Sequence, residues 1–349
     1  MKTRVAIFRN ESADDHVPWA EACMRRIDEI DFDVIDITAS DWLGQFRKRQ
    51  YDLILMRPPG RTEGYKRLYD ERAYILSQYP GVIVYPSLKE ILIYENKRLL
   101  SDWLEVNGIP HPLTRVFYSE KEALDYISGD NVLPLVAKTN IGASGNGVRF
   151  LNDRKAATEY ISMAFGRGVG VKTGPKLRKG SLAGKIIKAI TTKGFFRKRL
   201  GEYRASYENP QKGFVIFQEF IAHEYEWRCV RIGDSFFAHK KIARNNKSSG
   251  TLIKGYDPVP ESLLEFIRGI TDRTGLSSVS IDLFERDGGY LVNEIQCFFG
   301  QSDPYQMLVD SVPGRYRFRE GRWVFEAGDY ASNACYDLRL AHALALVKK

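Results

Sequence analysis

The spacing of apolar runs in the first hundred residues constrains the fold of this chain more than any other feature of its sequence. Short apolar or alternating runs there are separated by segments with helical periodicity. The runs lie at 5–8, 32–37, 52–56 and 81–85, and the helical patterns lie at about 17–30, 40–49, 64–79 and 95–107. Strands that alternate with helices of about 10 to 15 residues are typical of βαβ units, whose strands are parallel. An α/β domain is therefore predicted over residues 1–110.

The pattern changes at residues 107–112, where the sequence Asn-Gly-Ile-Pro-His-Pro ends the last of these helical patterns. Beyond this point strand patterns follow one another closely, and short turns such as residues 286–289 join them. Such spacing is typical of antiparallel hairpins. Helical patterns are interspersed at 119–128, 153–163, 260–274 and 332–348. The predicted fold class is therefore α/β in the N-terminal part and α+β in the rest.

The composition excludes several classes of protein. The chain has 349 residues, of which 44% are hydrophobic and 12% aromatic, so it can bury substantial cores and is not disordered as a whole. Its cysteines are far apart and form no CxxC pair, which argues against a disulfide framework or a zinc knuckle. No apolar run reaches the roughly 18 residues that a membrane span needs, and polar residues follow the run at 5–8. We therefore expect a cytoplasmic protein.

Positive charge is concentrated in one segment. The formal net charge is +8, but residues 166–213 carry +11 and the rest of the chain carries −3. Three interpretations stay open: a solvated surface, contact with an anionic acceptor substrate, or peripheral contact with the inner face of the membrane. We favour the anionic acceptor. The segment has no recognised nucleic-acid-binding module and few aromatic residues for stacking, so no specific nucleic-acid partner is predicted.

A glycine-rich loop follows the strand pattern at 135–138. This strand ends in Lys138, and the loop contains Gly142, Ser144, Gly145 and Gly147 before another strand begins. Glycines allow backbone N–H groups to approach an anion closely, and the lysine adds a positive charge. The sequence does not match GxxxxGK[ST], so this is not a Walker A loop. On its own, the motif is either an anion-binding loop or an ordinary hairpin.

Acidic and amide side chains lie on two neighbouring strand patterns near the C-terminal end. Asp282 is on the first strand, and Glu294 and Gln296 are two residues apart on its hairpin partner, so both of the latter side chains leave the same face. Oxygen ligands that converge from two strands suit Mg²⁺. The alternative is a solvated polar face. Apolar neighbours such as Ile281 and Ile295 favour buried strands, where unpaired carboxylates are costly.

A third motif combines the apolar strand pattern at 214–221 with the polar segment 224–234. Backbone groups at the end of such a strand can pair with an adenine edge, and a carboxylate such as Glu226 can accept hydrogen bonds from ribose hydroxyls. Taken alone, the motif is more often one further hairpin.

These three motifs, in this order, resemble the ATP-grasp superfamily over residues 95–300. The specific likeness is to carboxylate–amine ligases such as the ribosomal-protein glutamate ligases and the cyanophycin- or glutathione-forming enzymes, and it is strongest at 218–221 and 226–234. The resemblance implies an ATP-grasp fold with four parts. These are an N-terminal α/β (pre-ATP-grasp) domain at 1–110, a lid subdomain at 111–222 with the basic insertion 166–213, a central antiparallel-sheet subdomain at 223–310 and a C-terminal helical segment at 311–349.

The resemblance also implies ATP and Mg²⁺ as cofactors and assigns residues to each. The residues implied to bind the nucleotide are Lys97, Lys138, Gly142, Ser144, Gly145, Gly147, Glu219, Phe220, Ile221, Glu226 and Asn246. Those implied to act on the γ-phosphate and the acyl phosphate are Arg228 and Arg244. Those implied to bind Mg²⁺ are Asp282, Glu294 and Gln296. The third metal ligand of the family is usually Asn rather than Gln, and its Ser-Pro-Gly is replaced here by residues 297–300.

The function implied is ATP- and Mg²⁺-dependent ligation of a carboxylate to an amine through an acyl phosphate. Two alternatives stay open: an ATP-grasp kinase for small molecules and a non-catalytic ATP-binding regulatory module. Arg57, after the third strand pattern, is either a ligand for a substrate anion or a surface arginine. The identities of the acid and the amine and the oligomeric state are not predicted.

Overall fold

The N-terminal part of the chain contains a parallel sheet, as its apolar spacing predicts. The structure is a computed structural model that describes residues 2–10, 14–60, 62–129, 133–142, 147–170, 210–244, 247–248, 253–256 and 258–348. Its four parallel strands are in the order β2-β1-β3-β4. They are β1 (Thr3–Arg9), β2 (Ile30–Asp36), β3 (Leu53–Leu55) and β4 (Ile83–Tyr85). The helices that follow the strands are α1 (Val17–Met24), α2 (Trp42–Phe46), α3 (Glu63–Ser77) and α4 (Leu88–Ile93).

Both faces of this sheet are buried, because successive side chains of a strand leave it in opposite directions. Val5 and Ile7 pack on one face in a cluster with Trp19 of α1. Ala6 and Phe8 pack on the other face. The last helix, α9 (Tyr336–Val347), covers the first of these faces through residues such as Leu340 and Ala343. The C-terminus of the chain therefore completes the core of the N-terminal sheet.

A large antiparallel sheet forms the second part of the same compact unit. Its main strands are in the order β14-β13-β9-β10-β16-β15, with β11 and β12 paired to β10 and β17 paired to β16. These are β9 (Tyr225–Ile232), β10 (Ser235–Arg244), β11 (Lys247–Ser248), β12 (Lys254–Gly255), β13 (Ser278–Arg286), β14 (Gly289–Gln296), β15 (Leu308–Val309), β16 (Val312–Arg319) and β17 (Arg322–Ala327).

Two helices bury one face of this sheet. They are α5 (Lys97–Val106) and α8 (Glu261–Thr274). Leu100 and Leu104 of α5 and Ile267 of α8 share a core with Trp227 and Ile281 from the sheet. Because side chains alternate along each strand, the residues between these apolar ones are directed to the opposite face.

The C-terminal segment differs from the expectation. A helical segment is predicted over 311–349, whereas the structure places the antiparallel strands β16 and β17 before α9. Tyr316 pairs with Phe325, and Phe318 pairs with Trp323. The aromatic residues of β16 alternate with arginines. This period-2 pattern is typical of a half-buried strand and does not fit a helix.

A separate compact unit comprises Gly60–Gly64 and Thr114–Phe220, and the rest of the chain forms the first unit. The second unit contains an antiparallel sheet in the order β5-β8-β6-β7. Its strands are β5 (Thr114–Phe117), β6 (Leu135–Lys138), β7 (Val148–Leu151) and β8 (Val215–Glu219), and its helices are α6 (Glu120–Ser128) and α7 (Arg154–Phe165). Residues 171–209, the greater part of the basic insertion, lie outside the described residues.

No helix in the described part of the chain is both long enough and apolar enough to cross a membrane.

Candidate active site

Charged side chains gather on the face of the central sheet opposite α5 and α8. Arg228 of β9 lies directly across from Asp282 of β13, which in turn lies across from Glu294 of β14. Glu226 of β9 is paired with Lys241 of β10. Each pair comes from adjacent strands, so its two side chains stand side by side on one face. The alternation that buries Trp227 and Ile281 among the helices therefore directs these charged residues to the other side.

A β-bulge in β14 changes which residues reach this face. The register between β13 and β14 shifts after Asp282, so that Leu283 pairs with Val292 and Asp282 pairs with Glu294. Asn293 is the extra residue, and its amide nitrogen lies 3.5 Å from Oε1 of Glu226. A bulge re-aims side chains in this way, and bulges are frequent beside active sites. The sequence motif alone did not indicate Asn293.

Asp282 is the centre of a buried ion network. Its carboxylate accepts two hydrogen bonds of 2.8 Å from Nε and Nη2 of Arg228 and one of 2.7 Å from Nζ of Lys241. Lys241 also lies 2.5 Å from Oε2 of Glu226. The side chains of Arg228 and Asp282 are only 11% and 5% exposed. The network has two positive and two negative charges, so its burial leaves no net charge uncompensated.

The ionised forms of these groups stabilise one another. Burial raises the pKa of the Asp282 carboxyl, but Arg228 and Lys241 lower it by more, so the pKa lies below its usual range. Burial lowers the pKa of the Arg228 guanidinium and of the Lys241 ammonium group, and the neighbouring carboxylates raise both by more. All three groups are therefore charged at neutral pH.

A second cluster surrounds Lys97, the first residue of α5. Its Nζ lies 3.3 Å from Oε2 of Glu95 and 3.5 Å from Oε1 of Glu294. Burial lowers the pKa of Lys97, and these two carboxylates raise it by more. The side-chain amide of Gln296 lies 3.3 Å from the other oxygen of Glu95. This cluster brings together Lys97, which the sequence assigns to the nucleotide, and Glu294 and Gln296, which it assigns to the metal, and it adds Glu95.

Glu95 is a residue that the sequence argument missed. Its side chain is fully buried, and its backbone has φ of +48°, a conformation that is unfavourable for residues other than glycine. Strained backbone of this kind is concentrated at functional sites. Its position two residues before Lys97 was the only available signal in the sequence.

Lys241 was also missed, although it lies in a strand with clear alternation. Lys240 and Lys241 are adjacent, and only the long-range pairing with β9 distinguishes them. Nζ of Lys240 lies 4.1 Å from the ring centroid of Tyr225, on the opposite face. His223 is a further neighbour of Glu226, with Nε2 at 3.6 Å from Oε1.

Lys138 and Gly147 lie at the two ends of the glycine-rich loop of the second unit. Lys138 ends β6, and the amide of Thr139 donates to the carbonyl of Gly147 at 2.9 Å, which closes the base of the loop. The side-chain oxygen of Gln211 accepts hydrogen bonds from the amides of Asn140 and Ile141. Gln211 is thus a further structural residue of the loop.

Other predicted residues of the nucleotide site lie near the end of β8. Glu219 is its last residue, and the ring of Phe220 packs edge-on against Phe150, with ring centroids 5.8 Å apart. Ile221 is buried, and the first compact unit resumes at this residue.

The structure describes two of the five remaining predicted residues, Gly142 and Arg244. Gly142 is described and has φ of +157°. Ser144, Gly145 and Asn246 lie outside the described residues. Arg244 is the last residue of β10 and pairs with Lys247 through the backbone.

The donors available for a metal are two carboxylates and one amide. No group of three or more His, Cys, Asp or Glu side chains within the described ranges is placed to hold a metal ion. Asp282 and Glu294 are direct neighbours on adjacent strands, and Gln296 follows on the same strand. Such oxygen donors suit Mg²⁺, which needs few protein ligands because it keeps water and phosphate oxygens.

Comparison with known proteins bears on the fold. No protein-family model and no curated protein matches the sequence. Among solved structures, the RimK domain protein ATP-grasp from Sphaerobacter thermophilus is 17% identical, with a TM-score of 0.51 over 84% of this chain and 90% of that one. The ATP complex of D-alanine–D-alanine ligase from Bacillus anthracis is 13% identical, with a TM-score of 0.54 over 99% and 98%. N5-carboxyaminoimidazole synthetase from Staphylococcus aureus with ADP is 11% identical, with a TM-score of 0.55 over 98% and 78%.

These similarities identify the architecture as the ATP-grasp fold. The fold class predicted from the sequence, with its N-terminal α/β part and its antiparallel part, is thereby confirmed.

Proposed function

We propose that this chain is an ATP- and Mg²⁺-dependent ligase that joins a carboxylate to an amine through an acyl phosphate. The observation that carries this proposal is the charge-compensated face of the central sheet, where Arg228, Lys241 and Lys97 lie against Asp282 and Glu294. A ligase of this kind needs cations for phosphate oxygens and carboxylates for a divalent metal within one small area. The ATP-grasp fold is consistent with it, since D-alanine–D-alanine ligase shares that fold.

The proposal assigns the metal to Asp282, Glu294 and Gln296. When bound, Mg²⁺ would offset the negative charge of the phosphates and of the transferring phosphoryl group. The same carboxylates now neutralise Arg228, Lys241 and Lys97. When the carboxylates bind the metal, phosphate oxygens would give these cations new partners. The site can therefore accept a metal and a nucleotide together with all of its positive and negative charges compensated.

The remaining residues of the proposed site have distinct tasks. Lys138 and the backbone N–H groups of the loop from Gly142 to Gly147 would bind phosphate oxygens. Glu219, Phe220 and Ile221 would contact the adenine, with Asn246 on the phosphates. Glu226 would accept from the ribose hydroxyls. Its oxygens are oriented by Lys241 and have Asn293 and His223 as further neighbours.

The chemistry explains why an acyl phosphate is needed. Hydroxide is a poor leaving group, so a carboxylate does not condense with an amine in water unless it is first activated. Transfer of the γ-phosphoryl group to the carboxylate provides a good leaving group, which the amine then displaces. Arg228 and Arg244 would stabilise the negative charge that develops on the carbonyl oxygen during this attack.

We further propose that the acceptor is anionic and meets the basic segment 166–213. The net charge of +11 in this segment contrasts with the −3 of the rest of the chain. Positive potential of this size raises the local concentration of an anionic substrate. A membrane-associated acceptor would bring the protein to the inner face of the membrane.

Phosphate release with Mg²⁺-ATP and a panel of acids and amines tests the ligase function. Release that requires both an acid and an amine supports the proposal. A stable phosphorylated product without an amine would instead indicate a kinase, and nucleotide binding without turnover would indicate a regulatory module. Glu294→Gln should abolish release. Glu326→Gln is the matched control, because Glu326 lies in the same sheet, is 21% exposed against 25% for Glu294 and also pairs with cations.

A further inference from the structure

Two polar side chains meet at the carboxyl edge of the N-terminal parallel sheet. In the order β2-β1-β3-β4, the chain connections leave β1 and β3 toward opposite sides. Ligands of open α/β sheets bind outside the carboxyl ends of the strands at such a switch point. Asn10 follows β1 and Arg57 follows β3, and the side-chain amide of Asn10 donates to the carbonyl oxygen of Arg57 at 2.6 Å. The two residues thus mark the switch point.

Among the residues that the structure describes, no carboxylate pairs closely with Arg57. The oxygen of Asp15 lies 3.8 Å from Nη1 of Arg57, beyond hydrogen-bonding distance. The other arginines described in this sheet are paired more closely: Arg4 with Asp52 at 3.0 Å, and Arg9 with Asp36. The Arg57 side chain is 36% exposed, so a ligand from solvent can reach it.

A second arginine lies beside Tyr336, which is also a neighbour of Arg57. Arg339 of α9 is 1% exposed, and its Nε and Nη2 atoms have no hydrogen-bond partner among the residues that the structure describes. Its guanidinium carbon lies 4.5 Å from the ring centroid of Phe298 and 5.6 Å from that of Tyr336. Tyr336 interacts electrostatically with both Arg57 and Arg339. A buried cation without a carboxylate partner is costly, and an anion nearby would offset that cost.

Packing connects Arg57 to the candidate active site. Tyr94, which immediately precedes Glu95 of the Lys97 cluster, packs against the same apolar cluster as Tyr336 and Phe298. Its side chain is within electrostatic range of Arg57, Glu95 and Glu294. Two anionic groups of one small substrate can occupy such neighbouring positions.

We propose that Arg57 binds a second oxyanion of the acid substrate, a carboxylate or phosphate that does not react, with help from the hydroxyls of Tyr94 and Tyr336. The inference rests on the proposed ligase function and specifies its substrate class: an acid with at least two anionic groups. A guanidinium suits this task, because its planar N–H groups match the paired oxygens of a carboxylate or a phosphate. The five N–H donors of Arg57 exceed what its hydrogen-bonding contact with the Tyr336 side chain and its long contact with Asp15 use.

Calorimetric titration of the full chain with glutarate, inorganic phosphate and butyrate tests the assignment without any need for turnover. We expect a dianion to bind the wild type at least about tenfold more tightly than butyrate, as one additional charged hydrogen-bonded contact would give. Arg57→Ala should remove this preference, and Arg57→Lys should retain part of it, which guards against a merely misfolded variant.

Arg4→Ala is the matched control, because Arg4 is also 36% exposed but lies at the opposite end of the same sheet and is already paired. It should bind the dianion as the wild type does. The proposal is overturned if the wild type binds no dianion more tightly than butyrate, or if Arg57→Ala binds it unchanged. Failure of the ligase function would be a separate result. In that case phosphate release would not depend on added acids or amines, while the binding preference at Arg57 would persist.

Discussion

The buried network around Asp282 makes a quantitative prediction about folding stability. In Asp282→Ala, Arg228 loses both of its 2.8 Å hydrogen bonds, while Lys241 keeps Glu226 as its partner. The network then has a net charge of +1 in a position where the Arg228 side chain is only 11% exposed. Removal of one partner from a buried ion pair costs about 3–5 kcal/mol. We expect this loss in the free energy of unfolding.

The charge balance also predicts a rescue. Arg228→Met alone leaves one uncompensated negative charge, whereas Arg228→Met combined with Asp282→Leu leaves only the Lys241–Glu226 pair and no net charge. Replacing a buried ion pair by apolar residues of similar volume is often close to neutral. The double variant should therefore be more stable than either single variant, with a coupling energy of at least about 2 kcal/mol.

Urea denaturation followed by tryptophan fluorescence measures these differences, since Trp227 lies in the core beneath the network. Asp272→Ala is the control, because Asp272 also pairs with an arginine, Arg231, but is 49% exposed. An exposed pair of this kind should cost less than about 1 kcal/mol. The reasoning would be refuted if Asp282→Ala were as stable as this control, or if the double variant lost the full sum of the two single losses.

Three further predictions concern Glu294, His239 and Gly147. Glu294→Ala removes a side chain that is 25% exposed and lies 3.5 Å from Lys97. The free energy of unfolding should change by less than about 1 kcal/mol, while the rate of phosphate release should fall at least about 100-fold. Comparable losses of stability and of activity would contradict a role in the metal site. Burial lowers the pKa of His239 to about 3. Between that value and about pH 6.5, the unfolded state therefore binds one more proton than the folded state. Lowering the pH from 7 to 5 should reduce the free energy of unfolding by about 2 kcal/mol. In His239→Gln, urea midpoints at the two pH values should differ by less than in the wild type, and an equal difference would exclude this histidine as the cause. A Cβ at Gly147 would overlap the side chain of Thr139. Gly147→Ala should therefore weaken ATP binding at least about tenfold in a titration, while the circular dichroism spectrum stays unchanged. An unaltered ATP affinity would show that the loop is not part of the nucleotide site.

The predicted residues that the structure brings together are related in the sequence either by a local spacing rule or by a family motif. Asp282, Glu294 and Gln296 lie on two strands of a single hairpin, so their spacing and the turn between them predict a common face. Lys97 and Arg228 came from resemblance to family motifs. For each of these residues the structure shows a position on or beside the same charged face.

The residues that were missed depend on contacts between distant segments. Lys241 differs from Lys240 only through the pairing of β10 with β9. Asn293 reaches Glu226 because a bulge shifts the register of β14, and no spacing rule predicts that bulge. Glu95 contacts Gln296 across 201 positions of the chain.

Local periodicity in the sequence predicts the parallel strands before residue 110 and the antiparallel hairpins after it. Except at the bulge of β14, it also predicts the side of each strand on which a residue lies. These follow from side-chain geometry, which repeats every two residues in a strand and every 3.6 in a helix. Which faces pack against each other is known only from the three-dimensional fold. It placed α9 on the N-terminal sheet and brought Arg339 near Tyr336 and Phe298. Such contacts lower the free energy through burial and charge pairing summed over the whole chain, and no local window of sequence contains that sum.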